Sequence, residues 1–180
     1  MPSRLILILG GCRSGKSSYA LECASRFGPG GVFVATCPVL DGEMEERVRR
    51  HREERRGLGW DTLEEQVDLP GALAGCPAGA TVLVDCLTLW VNNVMYRREV
   101  DGAAMPDEDE MAALAGRFAD AAAARSGATI AVGNEVGLGV VSDNVLARRF
   151  RDLAGRVNQV LAKRADEVYF MVAGLPTRIK

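Results

Sequence analysis

The residues Gly10-Gly11-Cys12-Arg13-Ser14-Gly15-Lys16-Ser17 carry the spacing G-x-x-x-x-G-K-[ST]. Each fixed place in that pattern has a chemical reason. Glycines let successive backbone N–H groups curl round an anion, and the N-terminus of a following helix adds partial positive charge. The lysine reaches the β- and γ-phosphates of a nucleotide, and the hydroxyl after it takes a place on Mg²⁺. Lys16 and Ser17 are the candidates for those two tasks. Asp85 ends the apolar run Thr81-Val82-Leu83-Val84. A carboxylate there either binds Mg²⁺ beside the phosphates or caps the helix that follows.

His51 is the sole histidine of the chain. A lone histidine is often an ordinary surface residue, but neutral imidazole is also a competent nucleophile toward phosphorus, and a P–N bond divides one difficult transfer into two easier ones. Around it the stretch Asp41 to Arg56 reads as a helix, with Asp41 as N-cap, glutamates in its first turns and six arginines (Arg47, Arg49, Arg50, Arg52, Arg55, Arg56) in its second half. Glu43–Arg47, Glu45–Arg49 and Glu46–Arg50 are spaced i,i+4, as an exposed, ion-paired face would be. Arg52 and Arg55 fall outside those pairs and are available to a triphosphate. Met44, Val48, His51 and Arg55 share one stripe, which puts His51 on the inward side.

These groups need a scaffold that presents them together. Short apolar runs at 5–9, 32–36, 81–85, 128–132 and 167–172 read as buried strands, with a further short extended piece at 60–64. Helical stretches lie between them: one after Ser17, one from Cys86, an alanine-rich one opened by Asp107-Glu108-Asp109-Glu110 and ending near Gly127, and a basic one from about Asp143 to Arg164. The alternation predicts a single α/β domain over residues 1–180, a P-loop nucleotide-binding fold whose mostly parallel sheet is covered by helices on both faces. Its ligands sit at the carboxyl ends of the strands. Asn134-Glu135-Val136-Gly137-Leu138-Gly139 then falls at the active edge, either as part of the site or as a turn. Arg148, Arg149, Arg151 and Arg156 face solvent, a groove or another subunit.

Composition narrows the function classes. With 22 Lys plus Arg against 24 Asp plus Glu the net charge is −2, which gives no general attraction to nucleic acid or to anionic membrane. No window of 18 apolar residues exists to span a membrane, and the first apolar run is too short for a signal peptide, so a cytoplasmic protein is expected. Five scattered cysteines without a C-x-x-C pair argue for reduced thiols rather than disulfides or zinc.

The runs Gly10 to Ser17, Asp41-Gly42-Glu43-Met44 with Arg47 and His51, Trp60 to Glu64, Asn134 to Gly139, and Arg149-Phe150-Arg151-Asp152-Leu153-Ala154-Gly155-Arg156-Val157-Asn158-Gln159 resemble the bifunctional adenosylcobinamide kinase and adenosylcobinamide-phosphate guanylyltransferase family. The resemblance extends over essentially the whole chain. It implies phosphorylation of adenosylcobinamide by ATP or GTP, then transfer of GMP from GTP to give adenosylcobinamide-GDP and pyrophosphate through a histidine–GMP intermediate on His51. It further implies nucleotide contacts from Gly10 to Ser17, from Ala35, Thr36 and Cys37, from Arg52, Glu53, Glu54 and Arg55, and from Glu64 and Asp85, with Mg²⁺ on Ser17 and Asp85. A homotrimer with the histidine helix near a subunit boundary is implied as well. Gly133 stands where the family pattern has threonine, and Arg50 where some members have a second histidine. Two other readings use the same residues: a kinase in which His51 is a bystander, and a non-catalytic GTP-binding regulator.

Overall fold

A computed structural model describes residues 2–38, 49, 53 and 57–180. Seven strands form one sheet: β1 (Arg4–Gly10), β2 (Gly31–Ala35), β3 (Trp60–Glu64), β4 (Val82–Asp85), β5 (Ala128–Asn134), β6 (Glu167–Val172) and β7 (Leu175–Arg178). Their order is β3-β2-β4-β5-β1-β6-β7. All neighbours are parallel except β6 and β7, which are antiparallel. Parallel strands need both faces covered, and that is why β1, β4 and β5 are continuous apolar runs rather than alternating ones.

The helices divide unequally between the faces. Among the described residues, α1 (Lys16–Ser25) alone covers one face, packing Ala20, Cys23 and Ala24 on Ile6, Ile8, Leu83, Ile130 and Val132. Four helices cover the other: α2 (Leu69–Gly75), α3 (Leu87–Val100), α4 (Glu108–Ala124) and α5 (Val145–Arg164). There Leu69, Trp90, Phe118, Leu153 and Leu161 close over Leu7, Val34, Val84 and Ala131. The side chains of each strand therefore alternate between an α1 side and an α2–α5 side.

Two elements were not foreseen from the sequence. Helix α2 is seven residues long, started by Asp68, whose carboxylate accepts from Gly71 N. Strand β7 consists wholly of exposed residues and is made possible by a tight turn in which Ala173 and Gly174 both have positive φ. The alanine-rich helix ends three residues short of Gly127, and its start has the capping box formed by Asp107 and Glu110.

The helix expected over Asp41 to Arg56, with its stripe through Met44, Val48, His51 and Arg55, lies outside the described residues. Arg49 and Glu53 are helical, and there Arg49 pairs with Glu53 at 2.8 Å.

Candidate functional site

The loop between β1 and α1 is held in a tight curl by its glycines. Gly10 has φ +154°, and a Cβ there would meet Met171 O at 2.6 Å and Ser14 Oγ at 2.8 Å. Gly15 has φ +91° and would meet Gly174 Cα at 3.1 Å. Neither place tolerates a side chain. Arg13 adopts φ +55°, uncommon for a residue with a Cβ. The β6–β7 turn braces the loop from outside, with Gly174 N donating to Ser14 O at 3.0 Å.

Lys16 is buried, and its Nζ donates to Gly11 O at 2.5 Å and to Ser14 Oγ at 3.4 Å. The ammonium is thereby folded over the loop, where the phosphates of a nucleotide would lie. Ser17, in the first turn of α1, donates its hydroxyl to Asp85 Oδ2 at 2.7 Å. These residues are 68 positions apart and meet because β4 and α1 share one side of the sheet. Asp85 is not the cap of α3: Cys86 is, its Sγ accepting from Leu89 N at 3.4 Å. Burial pushes the Cys86 thiol up to about 12, so it remains neutral in that place.

The strand register gathers further predicted residues. Ala35 is opposite both Glu64 and Asp85, and Gly10 is opposite Asn134. Thr36, directly after β2, is fully buried. Its hydroxyl donates to Cys86 O at 2.8 Å and accepts from Cys86 N at 2.7 Å, while Thr36 N donates to Asp85 O at 3.2 Å. Thr36 thus sets the position of Asp85. Cys37 is half-buried just beyond, and Glu64 is exposed at the tip of β3. Cys12 is exposed in the loop, and all five cysteines are free. The predicted contacts His51, Arg52, Glu54 and Arg55 lie outside the described residues; Glu53 is exposed.

Sequence reasoning missed the polar side chains that tie the strand ends together. Asn93 is buried in α3 and donates to Thr36 O at 2.8 Å and Gln66 O at 3.2 Å. Thr88 Oγ1 accepts from Asn134 N at 2.6 Å, and Asn158 Nδ2 donates to Asn134 O at 3.2 Å. The one available signal was a polar residue amid an apolar helical stretch, as with Asn93 between Val91 and Val94.

The arginines of α5 also separate. Arg148 holds Ser142 O and Asp143 O, and Arg149 holds Met105 O and Pro106 O, so both fasten loops. Arg151 pairs with Asp152 at 3.5 Å. Gly133 sits in close quarters: a Cβ would lie 3.1 Å from Leu9 Cδ2 and 3.2 Å from Asn158 Oδ1, so a threonine there would press on both neighbours.

Taken chemically, the edge offers a nest of backbone donors, a cation, and a hydroxyl–carboxylate pair, an arrangement suited to a nucleoside triphosphate. Comparisons with known proteins agree with it. Residues 6–179 match the family model described as cobinamide kinase / cobinamide phosphate guanyltransferase. The bifunctional adenosylcobalamin biosynthesis protein CobP of Pseudomonas aeruginosa is 42% identical over 178 residues, covering 97% of this chain and 96% of that one. The CobU proteins of Salmonella typhimurium and Escherichia coli, carrying the same bifunctional description, are each 38% identical over 184 residues, covering 98% of this chain and 99% of theirs. Among solved structures, a KaiC-like protein from Pyrococcus horikoshii shares the fold, with a TM-score of 0.50 at 14% identity over 94% of this chain and 72% of that one.

Proposed function

The chain belongs to the cobinamide kinase / cobinamide phosphate guanyltransferase family, and from that premise we propose that it performs both reactions, on adenosylcobinamide. In the first, the corrinoid's side-chain hydroxyl attacks the γ-phosphorus of ATP or GTP and the nucleoside diphosphate leaves. In the second, His51 attacks the α-phosphorus of GTP with loss of pyrophosphate. The phosphate made in the first step then takes the GMP from His51, regenerating the imidazole and giving adenosylcobinamide-GDP.

The observation that carries this reading is the 2.7 Å bond between Ser17 and Asp85 at the mouth of the phosphate loop. It shows the loop is coupled to a strand-end carboxylate, as phosphoryl transfer needs and a plain glycine turn does not. The same pair tests whether Mg²⁺ fits. Among the described residues no three His, Cys, Asp or Glu side chains gather as a metal cage. A hydroxyl and one carboxylate are what Mg²⁺ uses when phosphates and waters fill the rest of its octahedron. Ser17 and Asp85 would hold the ion, which supplies charge neutralisation to the phosphates. Lys16 neutralises charge on the β- and γ-phosphates, and the Gly11 to Gly15 backbone orients them.

The nucleotide contacts extend in this reading to Ala35, Thr36, Cys37 and Glu64, and to Arg52 to Arg55 beside His51. A homotrimer is part of the proposal, supported by the exposed apolar side chains Leu138, Val140, Val141, Val145 and Leu146 on one stretch. So is a cytoplasmic location; no described helix is long and apolar enough to cross a membrane.

The test is incubation with Mg²⁺ and GTP labelled at the α-phosphate, followed by denaturation. Label retained on the polypeptide in an acid-labile, base-stable form, and absent from His51→Ala, is the expected result. His51→Ala should keep the kinase step, whereas Lys16→Ala should impair both. A His51→Ala enzyme that forms adenosylcobinamide-GDP at the wild-type rate would sink the covalent route.

A further inference from the structure

The motif opened by Asn134 has no assigned task in the two reactions, yet its first residue occupies a distinctive place. Asn134 ends β5, the strand lying between the phosphate-loop strand β1 and the Asp85 strand β4, and its register partner is Gly10, the first residue of the loop. Parity fixes the direction of its side chain. Ile130 and Val132 belong to the α1-side cluster, while a Cβ on Gly133 would point at Leu9, Leu87 and Asn158 on the opposite side. Asn134 therefore faces the α1 side, as Asp85 does.

The backbone around it is immobilised on three bonds. Asn134 N donates to Thr88 Oγ1 at 2.6 Å, Asn134 O accepts from Asn158 Nδ2 at 3.2 Å, and Glu135 N donates to Gly10 O at 3.0 Å. Two side chains from two helices thus hold the main chain of this one residue. Its own half-buried side-chain amide, by contrast, makes no hydrogen bond among the described residues. With the main chain held and the amide left without a protein partner, the side chain is placed to meet something outside the protein.

We propose that the Asn134 side chain binds the γ-phosphoryl group of the nucleoside triphosphate, with Nδ2 donating to a non-bridging γ-oxygen during the kinase step. The position suits no other part of the nucleotide as well. The loop backbone and Lys16 embrace the phosphate chain from the α1 end, and Asn134 stands across the strand end from Gly10, between the loop and Asp85. A donor there meets the oxygens on which charge gathers as the terminal phosphoryl group leaves. This rests on the proposed use of the loop as a triphosphate site.

The test compares Asn134→Ala and Asn134→Asp, the latter keeping the shape while replacing the donor by an anion. Binding of GDP and of the β,γ-imido analogue of GTP is measured by calorimetry in a His51→Ala background, so that no guanylyl transfer intervenes. Both variants should keep GDP affinity within about twofold and lose about tenfold or more for the triphosphate analogue, Asn134→Asp losing more. With His51 restored, kinase turnover should fall about a hundredfold, the usual scale for one donor to a developing oxyanion. Equal losses for GDP and the triphosphate, or no loss for either, would overturn the proposal. Should the wild-type protein fail to phosphorylate adenosylcobinamide, the proposed activity fails, while the triphosphate-to-diphosphate ratio still judges Asn134.

Discussion

Thr36→Val is the substitution that asks most directly whether the site is positioned by hydrogen bonds or by packing alone. Valine has nearly the shape of threonine, so no cavity opens at this fully buried residue. The hydroxyl, however, bonds both the N–H and the C=O of Cys86, at 2.7 and 2.8 Å. Removing it orphans the Cys86 N–H, which costs about 1–3 kcal/mol when wholly buried, while Cys86 O keeps the bond it accepts from Trp90 N at 3.1 Å. Cys86 is half-buried, so water recovers part of that, while the bond lost by its carbonyl adds a little, and we expect a total near 1–3 kcal/mol. In a domain of this size each kcal/mol moves Tm by about 2–4 °C, so the midpoint should drop by roughly 2–12 °C. Thr36→Ser keeps the hydroxyl and sheds one methyl, costing about 1 kcal/mol. Urea unfolding of the three proteins, with midpoints compared at constant slope, gives the numbers. Because Asp85 precedes Cys86, kinase turnover of Thr36→Val should also fall beyond what its folded fraction explains. The reasoning is refuted if Thr36→Val lies within about 0.5 kcal/mol of wild type, or if Thr36→Ser is destabilised as much as Thr36→Val, for then the methyl and not the hydroxyl is what matters.

Two other predictions follow from named groups. The Tyr169 hydroxyl, donating to Glu167 Oε2 at 2.6 Å, holds that carboxyl below its usual range, with Arg26, Arg178 and Arg4 adding to the effect against the opposing pull of burial. A carboxyl lowered on folding adds stability that is complete above its unfolded pKa, near 4.3, and lost as pH falls through the lower folded value. Tyr169→Phe should therefore be less stable than wild type at neutral pH, and the two should converge as pH falls through the folded carboxyl's lowered value and both states bind the proton; parallel pH–stability curves would contradict this. Cys12 is exposed in the phosphate loop, so N-ethylmaleimide should alkylate it faster than the buried Cys23, and saturating GTP with Mg²⁺ should slow that reaction at least about tenfold. Peptide mapping that finds Cys12 equally reactive with and without nucleotide would remove the nucleotide from this loop.

What the sequence could and could not disclose follows from the range of each interaction. Strands β1, β4 and β5 are buried on both faces, and their unbroken apolar runs announce them. Lys16 and Ser17 are fixed by a local pattern, and Asp85 by its place at a strand end. Strand β7 has no such signature, because Leu175–Arg178 is exposed throughout and pairs only through the preceding turn. Helix α2 is too short for its period to show, and only Asp68 and the first-turn Pro70 mark it. Thr36 and Cys86 are 50 positions apart, and nothing near either residue shows that they bond. Likewise the direction of Asn134 depends on the register of β5 against β1, a property of the assembled sheet. The arginines of α5 looked alike in sequence and differ in which carbonyls and carboxylates lie within reach.

The division between the sheet's two faces explains why so many polar side chains are invested in the far side of a site that opens on the α1 side. Helices α3 and α5 carry Asn93, Thr88 and Asn158, which reach not toward ligand but to the main chain of Thr36, Gln66 and Asn134, at the ends of β2, β3 and β5. Strand ends have lost their ladder partners, and their free N–H and C=O groups would otherwise need water. Satisfying them from the helical side leaves the α1 side of those same residues available to a ligand. It also makes the edge stiff before any nucleotide arrives, so little ordering remains to be done on binding. Phosphoryl transfer from a triphosphate gains from such an edge, because the phosphates are held in one place while the acceptor hydroxyl approaches.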